Sequence, residues 1–168
     1  MLEAIYIFLA FYSMLLLTYG LYFFFNRKAT FSYKKNKPFY FTTVVQNLFL
    51  FSIIYLFFTT PQSAISVILG SGFAMAGLAI KFLALKEWSK PKTGILKSGI
   101  YSLIRHPMYT GNIIVYFGLS LMLSVYGFFL FLLIPPAFII RGRTEEKEMK
   151  SSLYLSYKRK VSGFLPNI

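Results

Sequence analysis

The sequence GIYSLIRHPMYTG, residues 99–111, joins a basic polar connection to an apolar run and contains the only histidine of the chain. Pro107 lacks a backbone N–H donor and has φ preset near the helical value, so it suits the first position of a helix. Arg105 and His106 then lie just before that helix. A second apolar run ends at RGRTEE, residues 141–146. We call these two polar stretches the motif segment and the glutamate segment, and we predict that they meet at one end of a helical hairpin.

The composition indicates an integral membrane protein. Of 168 residues, 57% are hydrophobic and 20% aromatic, and the mean hydropathy of +0.61 is too high for a soluble domain of this size. The chain has no cysteine, which excludes disulfides and thiolate metal sites. With one histidine and five acidic residues, we expect no metal site built by the protein.

Apolar runs predict the number of membrane spans. Each of the first three runs can cross a hydrocarbon core of roughly 30 Å at about 1.5 Å per residue. The fourth and fifth runs share residues 112–140, with a turn predicted at 124–127 and a kink at Pro135 and Pro136. These runs are short, but helices that begin at Pro107 and end near Thr144 have enough length. We predict an all-α polytopic membrane protein with five transmembrane helices, the last two forming a helical hairpin. The first three runs cover residues 4–25, 39–60 and 63–85.

The basic residues predict the orientation. All 18 Lys and Arg fall into three blocks: five between runs one and two, six from Lys81 near the end of run three to Arg105, and seven after run five. Five spans place these blocks on one side, so the positive-inside bias predicts an external amino terminus and a cytoplasmic carboxyl terminus. The membrane would be the cell inner membrane or, in a eukaryote, the endoplasmic reticulum. This distribution also explains the formal charge of +13 without nucleic acid.

Small residues in the third run predict close helix packing, because they let backbones approach in lipid. They form one stripe with two neighbours beside it. The stripe contains Ser66, Gly70, Ala74 and Leu78, and the neighbours are Gly72 and Ala76.

The polar groups at the predicted hairpin end suit a zwitterionic ligand. Glu145 and Glu146 offer carboxylates to a cationic group, while Arg105 and Arg141 offer guanidinium groups to an anionic one. Tyr109 offers an aromatic face to a positive centre. Each residue also has a structural explanation, such as ion pairing along a helix or anchoring at the headgroups. Their coincidence at the membrane surface favours a site.

The ordered motifs resemble the signature of the isoprenylcysteine carboxyl methyltransferase family. The resemblance covers about residues 86–168, whereas the first three runs match only as generic membrane helices. The segment 146–154 departs from the family pattern because it is short and lacks a Phe-Gly pair. The matching stretches, in family order, are ILKSGIY at 95–101, RHPMYTG at 105–111, R-x-x-x-EE at 141–146 and an ending that runs from Tyr154 and Tyr157 through Val161 to Leu165 and Pro166.

The resemblance implies an integral-membrane methyltransferase that uses S-adenosyl-L-methionine at a site facing the cytoplasm. One domain would cover residues 1–168, with a three-helix membrane scaffold at 1–85 and the cofactor-binding and catalytic portion at 86–168. The catalytic residues it implies are Arg141, Glu145 and His106. The substrate-binding residues it implies are Arg141, Arg143 and Arg105, and which of Arg141 and Arg143 faces the substrate stays open. The cofactor residues it implies are Gly94, Ile95, Leu96, Tyr101, His106, Pro107, Met108, Tyr109, Glu145 and Glu146.

A carboxylate is the favoured methyl acceptor, because it needs no general base at neutral pH, whereas an amine or thiol benefits from deprotonation. Thiols and lipid amines stay open. We expect membrane lipids and a lipophilic or lipidated acceptor as partners, and neither nucleic acid nor metal. An acceptor with an apolar tail would enter sideways from the bilayer between helices.

Two other functions stay open. Sterol and steroid reductases that use NADPH have a similar membrane architecture, but their related motif has Asn before the tyrosine and an acid after the glycine. This chain has Met108 and Asn112 at those places. A non-catalytic scaffold that binds anionic lipid would explain the basic charge but not the ordered motifs.

Overall fold

The structure is a computed structural model that describes Ser13 and residues 37–89, 96–123, 125–149 and 151–166. Within these ranges the regular secondary structure is helical. The helices are α1 Lys37–Thr59, α2 Ala64–Trp88, a 3-10 helix Gly99–Ser102, α3 Pro107–Leu121, α4 Val125–Phe131, α5 Ile134–Glu148 and α6 Ser152–Lys160.

Three helical segments in the described part of the chain are long and apolar enough to cross a membrane: Tyr40–Thr59, Ala64–Trp88 and Val125–Glu148. The predicted class, an all-α membrane protein, is confirmed to this extent. The first apolar run, 4–25, lies outside the described residues. α3 begins at Pro107 as predicted but has only 15 residues, which is about 22 Å and short of a full hydrocarbon core. The five-span count and the hairpin of two full spans therefore stay predictions.

α2 and α3 pack with their backbones almost in contact. A Cβ atom added to Gly77 would lie 2.7 Å from the carbonyl oxygen of Gly111, and one added to Gly118 would lie 2.5 Å from the backbone nitrogen of Ala74. Larger residues would force the helices apart. The predicted small-residue packing is thus confirmed at Ala74, whereas a Cβ atom on Gly72 would have nothing within 4 Å. Positions 72 and 74 face different sides of α2, because successive residues of a helix are rotated about its axis with a period of 3.6 residues.

Gly111 of the motif segment makes room for Lys81 of α2. A Cβ atom at Gly111 would lie 2.6 Å from Cγ of Lys81. Lys81 is only 1% exposed, so it lies inside the helix pair. It was counted in the second basic block, but its side chain packs between α2 and α3 rather than along the surface.

α1 packs on α3 and α5 through an apolar cluster that includes Ile53 and Phe138. Its polar side chains find partners inside that packing. The hydroxyl of Thr42 donates to the carbonyl of Ala137 at 3.2 Å, and the amide of Gln46 donates to the Tyr116 hydroxyl at 3.2 Å. Such hydrogen bonds satisfy polar groups that would otherwise be costly in an apolar core. They hold α1 against the two helices that carry the polar segments.

The predicted break in the fifth run is confirmed. α4 ends at Phe131 and α5 begins at Ile134, with a tight turn in which the N–H of Leu133 donates to the carbonyl of Leu130 at 3.2 Å. The Pro135 and Pro136 pair follows in the first turn of α5, where a missing N–H costs no helical hydrogen bond.

The turn between α3 and α4 lies earlier than predicted. α3 ends at Leu121 and α4 already begins at Val125, so the prediction of a turn at 124–127 was wrong in its later part. Gly127 is a helical residue. A Cβ atom there would lie 2.8 Å from the carbonyl oxygen of Ser120, so this glycine allows α4 to approach α3 instead of forming the turn.

Candidate functional site

Backbone hydrogen bonds hold the motif segment in place before α3. The N–H groups of Arg105 and His106 donate to the carbonyl oxygens of Ser162 and Gly163, both at 2.9 Å. Pro107 then begins α3, so the chain changes direction directly after His106. Because the backbone N–H groups of Arg105 and His106 are both hydrogen-bonded, the backbone from which their side chains project is held in one position.

The connection between α2 and the motif segment is anchored at Glu87. The hydroxyl of Ser98 donates to Oε2 of Glu87 at 2.7 Å. Gly99 has φ of +57°, and a Cβ atom there would lie 2.6 Å from the Glu87 carboxylate. Glycine therefore suits this position both by conformation and by space. Further along, the Tyr157 hydroxyl donates to the carbonyl of Tyr101.

Glu146 is the meeting point of the two polar segments. Its Oε1 atom lies 2.9 Å from Nε and Nη2 of Arg105 and 2.9 Å from Nε2 of His106. Its Oε2 atom lies 2.7 Å from Nζ of Lys158 on α6. The Glu146 side chain is 8% exposed, against 12% for Arg105 and 10% for His106. This is a nearly buried network of charge-assisted hydrogen bonds, which are the strong kind.

Glu145 forms a second network on the neighbouring side of α5. Its Oε1 atom accepts hydrogen bonds from the Tyr109 hydroxyl and, at 3.2 Å, from Nε of Arg141. The guanidinium carbon of Arg141 lies 5.1 Å from the centroid of the Tyr109 ring, which is within the range of a cation–π contact. Three residues from two helices therefore hold one another.

Aromatic rings stack between the two networks. The centroids of Phe164 and His106 are 5.2 Å apart with 24° between the ring planes, and those of His106 and Tyr109 are 5.6 Å apart with 8° between the planes. Phe138 lies 5.4 Å from Tyr109 beyond them. Two aromatic rings thus stack on the imidazole, while its Nε2 atom lies 2.9 Å from Oε1 of Glu146.

Two buried tyrosines of α6 support the networks. Burial raises the pKa of Tyr157 to about 12, with the Arg105 guanidinium acting against this shift and the Glu146 carboxylate adding to it. Burial likewise raises the pKa of Tyr154 to about 12, again with a contribution from the Glu146 carboxylate. Both hydroxyls therefore stay protonated at neutral pH and act as hydrogen-bond donors.

A cavity of about 320 Å³ opens beside the first network. Its volume is at the lower end of the usual range for small-molecule sites, roughly 300–1,000 Å³. The wall combines guanidinium groups, a carboxylate and an aromatic ring. Within the described ranges, no group of three or more His, Cys, Asp or Glu could hold a metal ion. The cavity is lined by Arg105, Arg143, Glu146, Ser162, Gly163, Phe164 and Leu165.

A comparison with protein-family models finds a family that is similar to part of this chain. Residues 81–156 match the family described as phospholipid methyltransferase. The match runs from α2 into α6 and contains both polar segments. It confirms the resemblance to membrane methyltransferases, because isoprenylcysteine carboxyl methyltransferase-like enzymes fall in the same family. Searches of curated proteins and of solved structures found no match.

The methyltransferase match favours neither the reductase nor the scaffold. It indicates a membrane methyltransferase without naming the acceptor of this chain. Of the residues assigned by resemblance, the structure brings six into direct contact with one another. These six are Arg105, His106, Tyr109, Arg141, Glu145 and Glu146.

The other assigned residues lie around this six-residue cluster or outside the described part. Pro107 is buried at the start of α3 and Met108 is half-buried beside it. Tyr101 is buried and is tied to α6 through Tyr157, and Leu96 is half-buried. Arg143 lines the cavity and is exposed, whereas Arg141 is buried. Gly94 and Ile95 lie outside the described residues.

Sequence reasoning missed two contributors to the six-residue cluster. Lys158 was expected only as part of a basic block, yet it pairs with Glu146. Phe164 was not singled out, although the ending with Val161 and Leu165 was already part of the resemblance. The structural alternative for Glu146, a pair with Lys150, falls on a residue outside the described ranges.

Proposed function

We propose that this protein moves a methyl group from S-adenosyl-L-methionine to the polar end of an amphiphilic acceptor at the membrane surface. The observation that carries the proposal is the contact of Glu146 with Arg105 and His106 at 2.9 Å. It joins two polar segments 40 residues apart inside the range that matches methyltransferases.

The residues around the cavity fit the cofactor by their chemistry. Arg105, which Glu146 holds in place at the cavity wall, offers a cation to its carboxylate. Aromatic faces such as Phe164 suit both an adenine ring and a sulfonium centre. When bound, the cofactor supplies an already activated methyl group. The chain's own task is then to align donor and acceptor and to exclude water.

We assign different roles to the two arginines of α5. Arg141 is 8% exposed and is held by Glu145 and the Tyr109 ring, so we propose that it positions these two groups. Arg143 is exposed at the cavity and makes no ion pair with any described residue. We therefore propose Arg143 as the contact for an anionic group of the substrate.

The excess of positive charge at the cavity supports a carboxylate acceptor. Both glutamates already have cationic or hydroxyl partners inside the protein, which leaves Arg143 to attract an anion. A carboxylate also needs no proton removal before it accepts a methyl group. A lipid amine is the second candidate, because the matching family is described as phospholipid methyltransferase. As the resemblance implies, we propose that His106 and Glu145 act with Glu146 next to the reacting groups. Neither lines the cavity itself, and His106 contacts its wall through Glu146 and Phe164.

Calorimetric titration of detergent-purified protein with S-adenosylhomocysteine tests the proposal. We expect binding by the wild type and by Glu148→Gln, an exposed neighbour on the same helix, and loss of binding in Glu146→Gln. Titration with NADPH is the parallel measurement, and binding to NADPH alone would refute methyl transfer in favour of a reductase.

The acceptor class is tested with membranes incubated with methyl-labelled cofactor. A methyl ester releases labelled methanol in mild base, whereas a methylated amine keeps its label. We expect base-labile label in the lipid extract. Base-stable label would indicate an amine acceptor instead of a carboxylate acceptor. Methyl transfer no higher than that of the Glu146→Gln variant would overturn the proposed function.

A further inference from the structure

We infer that the carboxyl-terminal segment 161–166 forms a wall of the methyl-transfer site and that Phe164 is a positioning residue for His106. The inference rests on the proposed function for the reaction concerned. The segment lies beyond the range 81–156 that matches the methyltransferase family, so the family match assigns it no role. We call it the tail strap.

The backbone of the tail strap is attached to the motif segment residue by residue. A parallel bridge joins Ile104 and Ser162. Three consecutive carbonyl oxygens, those of residues 162–164, accept hydrogen bonds from three donors of the motif segment and α3. These donors are the N–H of Arg105 at 2.9 Å, the N–H of His106 at 2.9 Å and the hydroxyl of Thr110 at 2.7 Å.

The side chain of Arg105 ties the start of the tail strap as well. Its Nη1 atom donates to the carbonyl of Lys158 at 2.9 Å and to the carbonyl of Val161. One guanidinium group thus joins Glu146 to the chain that enters the strap. These contacts fix the register of the strap, because a shift by one residue would leave several partly buried polar groups unpaired.

This register places the Phe164 ring against His106. The centroid distance is 5.2 Å, and the Tyr109 ring lies nearly parallel to the imidazole at a centroid distance of 5.6 Å. Because these two aromatic rings stack on it, the imidazole can turn only by displacing one of them. Its Nε2 atom is therefore kept 2.9 Å from Glu146.

Gly142 of α5 provides the seat for the Phe164 ring. A Cβ atom at Gly142 would lie 2.8 Å from Cζ of Phe164 and 3.4 Å from Nε2 of His106. A methyl group at this position would push the ring tip away, because such a short separation is below van der Waals contact. The glycine, the phenyl ring and the imidazole thus form one packing unit between α5 and the motif segment.

The tail strap also encloses the cavity. Four of its seven lining residues, 162–165, come from the strap. Removing the strap would open this side of the cavity to water, which weakens electrostatic contacts with any bound molecule. The strap is therefore part of the wall and not a passive chain end.

The experiment uses Phe164→Leu, Gly142→Ala and the double variant in the full chain. Gly72→Ala and Leu153→Ala are the controls, because a Cβ atom at Gly72 meets nothing within 4 Å and Leu153 is 52% exposed. Phe164→Met keeps a long apolar side chain without the ring and serves if Phe164→Leu does not fold. Methyl transfer is measured as kcat and KM for the cofactor.

A second readout follows the imidazole directly. Because His106 is the only histidine, untagged protein with labelled histidine shows one set of ring signals in NMR spectra. Loss of the stacked phenyl ring removes its shielding, so we expect the His106 ring protons to move downfield in Phe164→Leu and in Gly142→Ala. The two controls should leave the signals in place.

We expect kcat/KM to fall roughly 10- to 100-fold in each single variant, as for a misplaced catalytic group. We expect kcat/KM of the double variant to be no lower than that of the more impaired single variant, because both changes disrupt the same contact between Phe164 and Gly142. An unmoved imidazole signal in folded Phe164→Leu would overturn the positioning role. So would an unchanged kcat/KM with a shifted signal. If the wild type transfers no methyl group, the proposed function fails, while the NMR result still decides whether Phe164 positions His106.

Discussion

Removing the charge of Glu146 tests the network on which the site depends. In Glu146→Gln the amide oxygen can still face Arg105 and His106, but the amide nitrogen replaces Oε2 and faces the ammonium of Lys158, 2.7 Å away in the wild type. Two donors then oppose each other. The variant keeps the size of the side chain, so any effect comes from charge and hydrogen bonding.

The expected loss of stability depends on how deeply each partner of Glu146 is buried. Breaking a fully buried ion pair costs about 3–5 kcal/mol. Here Arg105 is 12% exposed and His106 10%, and the amide oxygen keeps part of their hydrogen bonding. The Lys158 side chain is 44% exposed, so it can turn to water at a cost of under about 1 kcal/mol. We therefore expect Glu146→Gln to lower the free energy of unfolding by about 2–3 kcal/mol.

The assay is unfolding of the purified protein in mixed micelles, followed by the fluorescence of Trp88, the only tryptophan. Lys158→Met should cost less than about 1 kcal/mol because it removes only the exposed arm of the network. Glu148→Gln, on the exposed face of the same helix, should stay within about 0.5 kcal/mol of the wild type. A Glu146→Gln protein as stable as the wild type, or a Lys158→Met protein equally destabilised, would refute the reasoning.

Further expectations concern packing, the second network, the tyrosines and the membrane orientation. Gly118→Val should destabilise the protein by about 2 kcal/mol or more, as overpacking does, while Gly72→Val should not; equal melting temperatures would contradict the close α2–α3 contact. Tyr109→Phe removes the hydrogen bond to Glu145 and should lower kcat about tenfold if the bond aligns the site, a result measured with labelled cofactor and absent if the hydroxyl is idle. Burial raises the pKa of Tyr157 to about 12, above the unfolded value near 10, so its contribution is complete below about pH 10 and is lost as the pH rises toward about 12; Tyr157→Phe should flatten the loss of stability in that window, and an unchanged slope would count against it. Because the chain has no cysteine, single cysteines at Ser102 and Pro61 should react with impermeant reagent from the cytoplasmic and external sides respectively, and the reverse pattern would invert the proposed orientation.

Local signals carried the parts of the fold that could be predicted from the sequence. Pro107 marks the beginning of α3, and the Pro135 and Pro136 pair marks the break before α5. A proline lacks a backbone donor and therefore affects the helix only in the turn where it lies. The convergence of the motif and glutamate segments also followed from chain order, since neighbouring helices joined by a short turn return to the same end.

The parts that could not be predicted depend on contacts between distant residues. The end of α3 at Leu121 is set by how α4 packs, which apolar composition alone does not reveal. Lys158 and Phe164 reach the site because the chain returns over the motif segment; they lie 47 and 53 residues after Gly111, where that segment ends. No periodicity signals such a return: the seat at Gly142 looks like any glycine in a helix until its neighbour is known.

The carboxylate of Glu146 has a protein partner at each oxygen. Folding has therefore already ordered the long side chains of Arg105 and Lys158, which in a looser site would have to be immobilised at each encounter. A visiting ligand meets a finished surface and loses less of its binding free energy to ordering the protein. We expect the ligand to bind to a preorganised site, with an association rate limited by access through the bilayer rather than by rearrangement of the polar groups.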